Sequence, residues 1–178
     1  MTLLDDSIAV RTSTPVGSGS GFGSRRWLYV SLPLLVSFAV AQLVKTSMGI
    51  VAASPEFTSR FHVGSHSSAV GWASSLFLYA YGVAMLAWGP LVKRIGARRA
   101  MLLGSAIWVI ALAATPFVHT IPQLDATRIV LGAGEACFYP VAHTLTARWF
   151  PIQERARANA SWLSGIFVGS TVASSVTA

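Results

Sequence analysis

Three side chains place a formal charge in greasy surroundings: Lys45, Arg128 and Glu135. From Ile129 to Ala147, Glu135 is the only formally charged residue. An acidic side chain at the centre of a membrane helix costs about 2.5–3.5 kcal/mol even on lenient insertion scales, so an acid kept there marks a functional site by default. Arg128 lies seven residues earlier. On a helix that spacing leaves the two side chains about 20° apart with an axial offset of about 10 Å. They share a face but have a long reach for a direct ion pair, and they read as flanking a ligand in one cavity. Arginine offers a planar fork suited to a carboxylate. Burial favours the neutral form of a glutamate and a nearby cation favours the carboxylate, so Glu135 is a candidate for gaining and losing a proton. Lys45 lies 18 residues beyond Trp27 and nine before Ser54, too deep to reach an interface easily by extending its stem. It reads as facing the cavity. Arg128, near the start of its helix, either lines that cavity or reaches water; its position allows both.

The elements carrying these charges are membrane helices. Hydrophobic residues make up 53% of the 178 and charged residues 11%, against about 25% charged in an ordinary soluble domain; mean hydropathy is +0.60. Apolar runs cover Trp27–Ala53, Ser67–Val92, Ala100–Leu124, Ile129–Ala147 and Ala158–Ala178. Each has a length that can cross a bilayer as a helix, and none alternates as a barrel strand would. The expected fold is therefore an all-α membrane protein with about five transmembrane helices, at about 27–53, 67–92, 100–119, 122–148 and 158–178. Residues 1–26 read as a disordered cytoplasmic tail, with linker-like composition at Gly17–Ser24. The bundle, 27–178, reads as the front part of a longer protein, incomplete at its C-terminus.

The net charge of +7 is distributed by topology. Arg11, Arg25 and Arg26 precede the first run; Lys93, Arg94, Arg98 and Arg99 follow the second; Arg148, Arg155 and Arg157 follow the fourth. The loops on the other side hold only Arg60. This positive-inside pattern puts the N-terminus in the cytoplasm and argues against a nucleic-acid partner. The expected location is the plasma membrane (the inner membrane in a bacterium), multi-pass, with the lipid bilayer as partner.

Other polar residues add less. His62 and His66 belong to a solvated loop and lack a third metal ligand. His143, about 80° around the helix from Glu135, reads as a packed polar residue rather than a proton relay. Tyr79 and Tyr81 are candidates for lining a polar cavity, since buried phenols need partners. Cys137 is alone, so no internal disulfide can form. No nucleophile–base or metal constellation is present, so neither an enzyme nor a cofactor is expected. Ser161, Gly165, Gly169 and Ala173 form a small-residue ridge four residues apart, where another helix can approach closely. Trp27, Trp88 and Trp149 read as interfacial anchors.

The segment Gly89-Pro-Leu-Val-Lys-Arg-Ile-Gly-Ala-Arg-Arg99 resembles the major facilitator superfamily's signature loop between the second and third spans, Gly-x-Leu-x-Asp-Arg-x-Gly-x-Arg-Arg/Lys. Arg128 and Gly132 resemble that superfamily's fourth-span Arg-x-x-x-Gly. The runs Arg128–Pro140 (RIVLGAGEACFYP) and Trp149–Ala158 (WFPIQERARA) resemble the anion:cation symporter family, carriers of sugar acids, aromatic acids and dicarboxylates. The resemblance implies the N-terminal six-helix half of a twelve-helix fold working by alternating access, with the remaining helices of the full-length protein completing it. It implies proton-coupled uptake of small organic anions. Lys45, Arg128, Tyr81 and Tyr79 would contact the substrate, Glu135 would carry the proton, and Gly89, Lys93, Arg94, Gly96, Arg98 and Arg99 would form the gating loop. Two departures stand out. Val44 replaces a family aspartate beside the first-span basic residue, and Lys93 replaces the signature aspartate, so it cannot accept that residue's hydrogen bonds. Efflux of another substrate class, or a membrane protein that does not transport, are the rival readings; efflux of a cation would disfavour Lys45 and Arg128.

Overall fold

In the computed structural model the described residues are 25–52, 54–61 and 68–176. The tail before residue 25, the His62 and His66 pair and the chain end after 176 lie outside them. Among the described residues every regular element is helical. A wide helical segment, Trp27–Ser31, leads into α1, Leu32–Ala52. Then come α2 (Pro55–Phe61), α3 (Ser68–Ile95), α4 (Ala97–Ala114), α5 (Ile121–Glu135), α6 (Phe138–Trp149) and α7 (Arg155–Val176). Among the described residues three stretches are long and apolar enough to cross a membrane: Trp27–Ser47, Gly71–Ile95 and Ala97–Phe117. The fourth expected span is split between α5 and α6. The fifth, α7, has 22 residues, about 33 Å of helix, but carries many Ser, Thr and Gly residues. Val83, Leu86, Leu102, Ile110 and Phe167 are exposed on the outside of the bundle. In water such a surface would drive association; a bilayer solvates it.

Helix limits differ from expectation where charge was taken as a stop. α3 runs through Lys93 and Arg94, and α4 includes Arg98 and Arg99. The connection between them is one residue, Gly96, with φ of +85°. Only glycine takes that conformation without a steric penalty. Likewise Arg25 and Arg26 are helical rather than part of a tail. Arg26 Nη2 donates to both Glu154 carboxylate oxygens at 2.8 Å. Trp27 meets Phe150 edge-on at 5.0 Å. These contacts tie the start of the first helix to the connection before α7.

Packing follows the small residues. α1 lies along α7, and α5 lies between α3 and α4. The ridge on α7 performs as its spacing suggests: a methyl group at Gly165 would collide with the Leu35 carbonyl oxygen, and one at Gly169 with that of Ala39. Gly132 sits in the same way against the Phe77 carbonyl of α3, and Gly134 against the Trp108 backbone of α4. Because the obstacle is backbone, no rotamer change relieves it. Gly169→Val is therefore expected to lower stability by about 1–3 kcal/mol, the usual cost of overpacking. Thermal unfolding in detergent measures it, and an unchanged melting temperature would refute the close approach. Trp88 is not an interfacial anchor. It is buried and donates its indole N–H to the Ala133 carbonyl at 2.8 Å, which fixes α3 against α5.

Candidate functional site

The site begins with a break in the fourth helix. Pro140 has no N–H, and its ring clashes with the carbonyl four residues back, which belongs to Ala136. The chain turns at Ala136 and Cys137, and α6 restarts at Phe138. One continuous helix over 122–148 was expected; the break makes Glu135 the last residue of α5. The C-terminal end of a helix carries partial negative charge, so this is an unfavourable place for a carboxylate. Glu135 is also buried, at 4% exposed.

Its compensation comes from another helix. Lys45 Nζ of α1 lies 2.9 Å from Glu135 Oε1. Arg128, on the same helix face, has the long reach that its seven-residue spacing implied, and the countercharge comes from α1 instead. Lys45 also sits over two rings of α3, 5.2 Å from the Phe77 centroid and 5.3 Å from that of Tyr81, an arrangement that attracts a cation electrostatically. Glu135 Oε2 has no hydrogen-bond partner. The buried indole N–H of Trp108, on α4, likewise has no hydrogen-bond partner. A space of about 20 Å³ adjoins the pair, bordered by Gln42, Tyr81 and Tyr139 among others. It is about large enough for one water molecule.

A larger cavity of about 220 Å³ opens beside the pair, lined by Lys45, Arg128, Phe77 and Leu131, with Phe57 of α2 and Leu124 also in its wall. Arg128 is 7% exposed and borders this cavity. Of its two sequence alternatives, this supports the cavity-lining one. The structure thus gathers Lys45, Arg128, Glu135 and Tyr81 from α1, α3 and α5. Tyr79 does not join them: it is 69% exposed and lines neither space. Two residues along a helix turn a side chain by about 200°, so Tyr79 and Tyr81 cannot share a face. Lys93, Arg94, Arg98 and Arg99 are exposed around the Gly96 turn, and Gly89 is half-buried within α3. His143 is exposed and meets the Trp162 ring edge-on at 5.4 Å. Phe77, Tyr139 and Trp108 were not singled out from the sequence. Phe77 stands four residues before Tyr81, a spacing that marks a shared face; Trp108 carries no such signal.

Comparison with known proteins agrees with this architecture. Residues 21–178 match the model of the Major Facilitator Superfamily. The chain is 31% identical over 150 residues to the probable anion transporter 1, chloroplastic, of Oryza sativa subsp. japonica, covering 82% of this chain and 27% of that protein. It is 34% identical over 126 residues to the probable L-galactonate transporter of Escherichia coli (strain K12), covering 70% and 27%. It is 29% identical over 150 residues to the sodium-dependent phosphate transport protein 1, chloroplastic, of Arabidopsis thaliana, covering 82% and 28%. The chain thus spans little more than a quarter of the length of these relatives. With an all-helical bundle, apolar spans and a family match over nearly its whole length, the chain belongs to the Major Facilitator Superfamily.

Proposed function

We propose that the chain forms part of a proton-coupled symporter for small organic anions, of the anion:cation symporter type, in which Lys45, Arg128 and Tyr81 meet the substrate and Glu135 carries the proton. The observation that carries this reading is the Lys45–Glu135 pair, 2.9 Å apart, at the edge of a cavity whose other cation is Arg128. While Glu135 is ionised it holds Lys45. A proton on Glu135 removes the countercharge, and Lys45 becomes available to an incoming carboxylate beside Arg128. Proton and anion therefore favour each other's binding, and by linkage the coupling acts equally in both directions. That reciprocity is what a symporter needs. The small space beside Gln42, Tyr81 and Tyr139 would let a single water reach the acid.

The remaining helices of a full-length parent would complete the cavity and alternate its access. Arg26–Glu154 contact brings two of the basic segments together, which supports placing both, and the N-terminus, on the cytoplasmic side. The exposed basic residues around Gly96 would belong to the cytoplasmic gate. Names of relatives support the anion class: anion, phosphate and L-galactonate transport are each printed for one or more of them. The test is an organic-acid uptake screen on the full-length parent in membrane vesicles, at acidic and at neutral external pH. Uptake of at least one carboxylate, faster at acidic pH, is the expected result. Uptake of organic cations alone, or carboxylate uptake indifferent to pH, would overturn the reading.

A further inference from the structure

Resting on that reading, we infer that the anion is a monocarboxylate with a small apolar body, an aromatic ring or a short branched chain, rather than a polyhydroxylated acid or an inorganic anion. The walls carry the argument. Phe57, Phe77, Leu78, Leu124 and Leu131 line the cavity. Apart from Lys45 and Arg128, Ser74 is its one polar side chain among the described residues. Along α5, Arg128 is flanked about a turn to either side by Leu124 and Leu131, and both leucines are 2% exposed. The cationic region is therefore bounded by apolar surface above and below. A carboxylate can meet Arg128 and Lys45 there, and the rest of the molecule must lie against phenylalanine and leucine.

Hydroxyls on such a body would leave water and find, among the described lining side chains, only Ser74 besides the two cations, which costs free energy. A second carboxylate would do so at far greater cost. The part of the cavity that these helices form is about 220 Å³, below the roughly 300 Å³ at which drug-sized pockets begin, and it has room for a single ring or a few branched carbons.

The experiment compares benzoate, gluconate and inorganic phosphate as radiolabelled probes for the full-length parent in vesicles, with uptake by vesicles lacking the protein subtracted. Benzoate is expected to be taken up with a kcat/KM about 100-fold or more above that of gluconate, the discrimination typical of one misplaced hydroxyl in an apolar pocket. Leu78→Gln, at an exposed position on the cavity edge, is expected to narrow that ratio by supplying a partner for hydroxyls. Should this variant fail to reach the membrane, the wild-type ratio still decides. Gluconate or phosphate uptake equal to or above that of benzoate would overturn the inference and leave the proton-coupled anion reading standing. Proton-independent uptake of all three, or uptake of none by protein shown to be folded, would overturn both.

Discussion

Glu135→Gln in the full-length parent is expected to abolish proton-driven accumulation while leaving counterflow exchange. The substitution keeps the shape of the side chain and removes its titration. Lys45 loses a countercharge 2.9 Å away and stays available to a carboxylate, as it would beside a protonated glutamate. Exchange of labelled for unlabelled anion needs no net proton movement, so it persists. Accumulation needs a site whose proton occupancy changes between the two faces of the membrane, and the substitution removes the one proposed. The pH dependence follows with the same sign. Uptake by the native protein should rise as the external solution is acidified, because protons fill Glu135 from that side. Uptake by the variant should be flat. Initial rates in vesicles with and without an imposed pH gradient measure both, and accumulation that survives the substitution would sink the coupling assignment.

Lys45→Gln should be costly in two separable ways. It removes one of the two cations proposed to hold the substrate, so organic-anion uptake should be lost. It also strands Glu135, which is 4% exposed and sits at the negative end of α5. Breaking a buried ion pair by removing one partner costs about 3–5 kcal/mol. The lower end is expected here, because 35% of the Lys45 side chain is accessible and solvent screens the pair. Adding Glu135→Gln to Lys45→Gln should restore most of the stability, since no buried charge is then left alone, yet uptake should not return. Thermal unfolding of purified protein in detergent, alongside vesicle uptake, separates the two effects. A single variant that unfolds like the native protein would show that the pair contributes nothing to the fold.

Much of this protein is determined locally. Long uncharged runs dictate membrane helices because an apolar segment about 20 residues long satisfies its own backbone hydrogen bonds in lipid. The distribution of arginine and lysine is likewise visible residue by residue. The ridge Ser161, Gly165, Gly169 and Ala173 needs only a spacing of four to declare a packing face, and α1 occupies it. The three charges that define the site could be picked out because each is expensive where it stands. Even the break after Glu135 has a local cause in Pro140, whose effect falls on the carbonyl of Ala136.

Tertiary structure alone decided which charge pairs with which. Arg128 shares a helix face with Glu135, yet Lys45 from α1 closes the ion pair. Helical periodicity fixes angles within one helix, but the rotation of α1 against α5 is set by the volumes packed between the helices. The same rotation brings Tyr81 and Phe77 under the Lys45 ammonium and leaves Tyr79 facing outward. It also buries Trp88 against Ala133, although its place near a span end suggested an anchor. Trp108 of α4 lies close against α5 for the same reason: its backbone meets Gly134, where no side chain holds the two helices apart. Spacing along the chain names the charged residues; close packing between helices chooses their partners, because only packing sets how far apart and how rotated the helices lie.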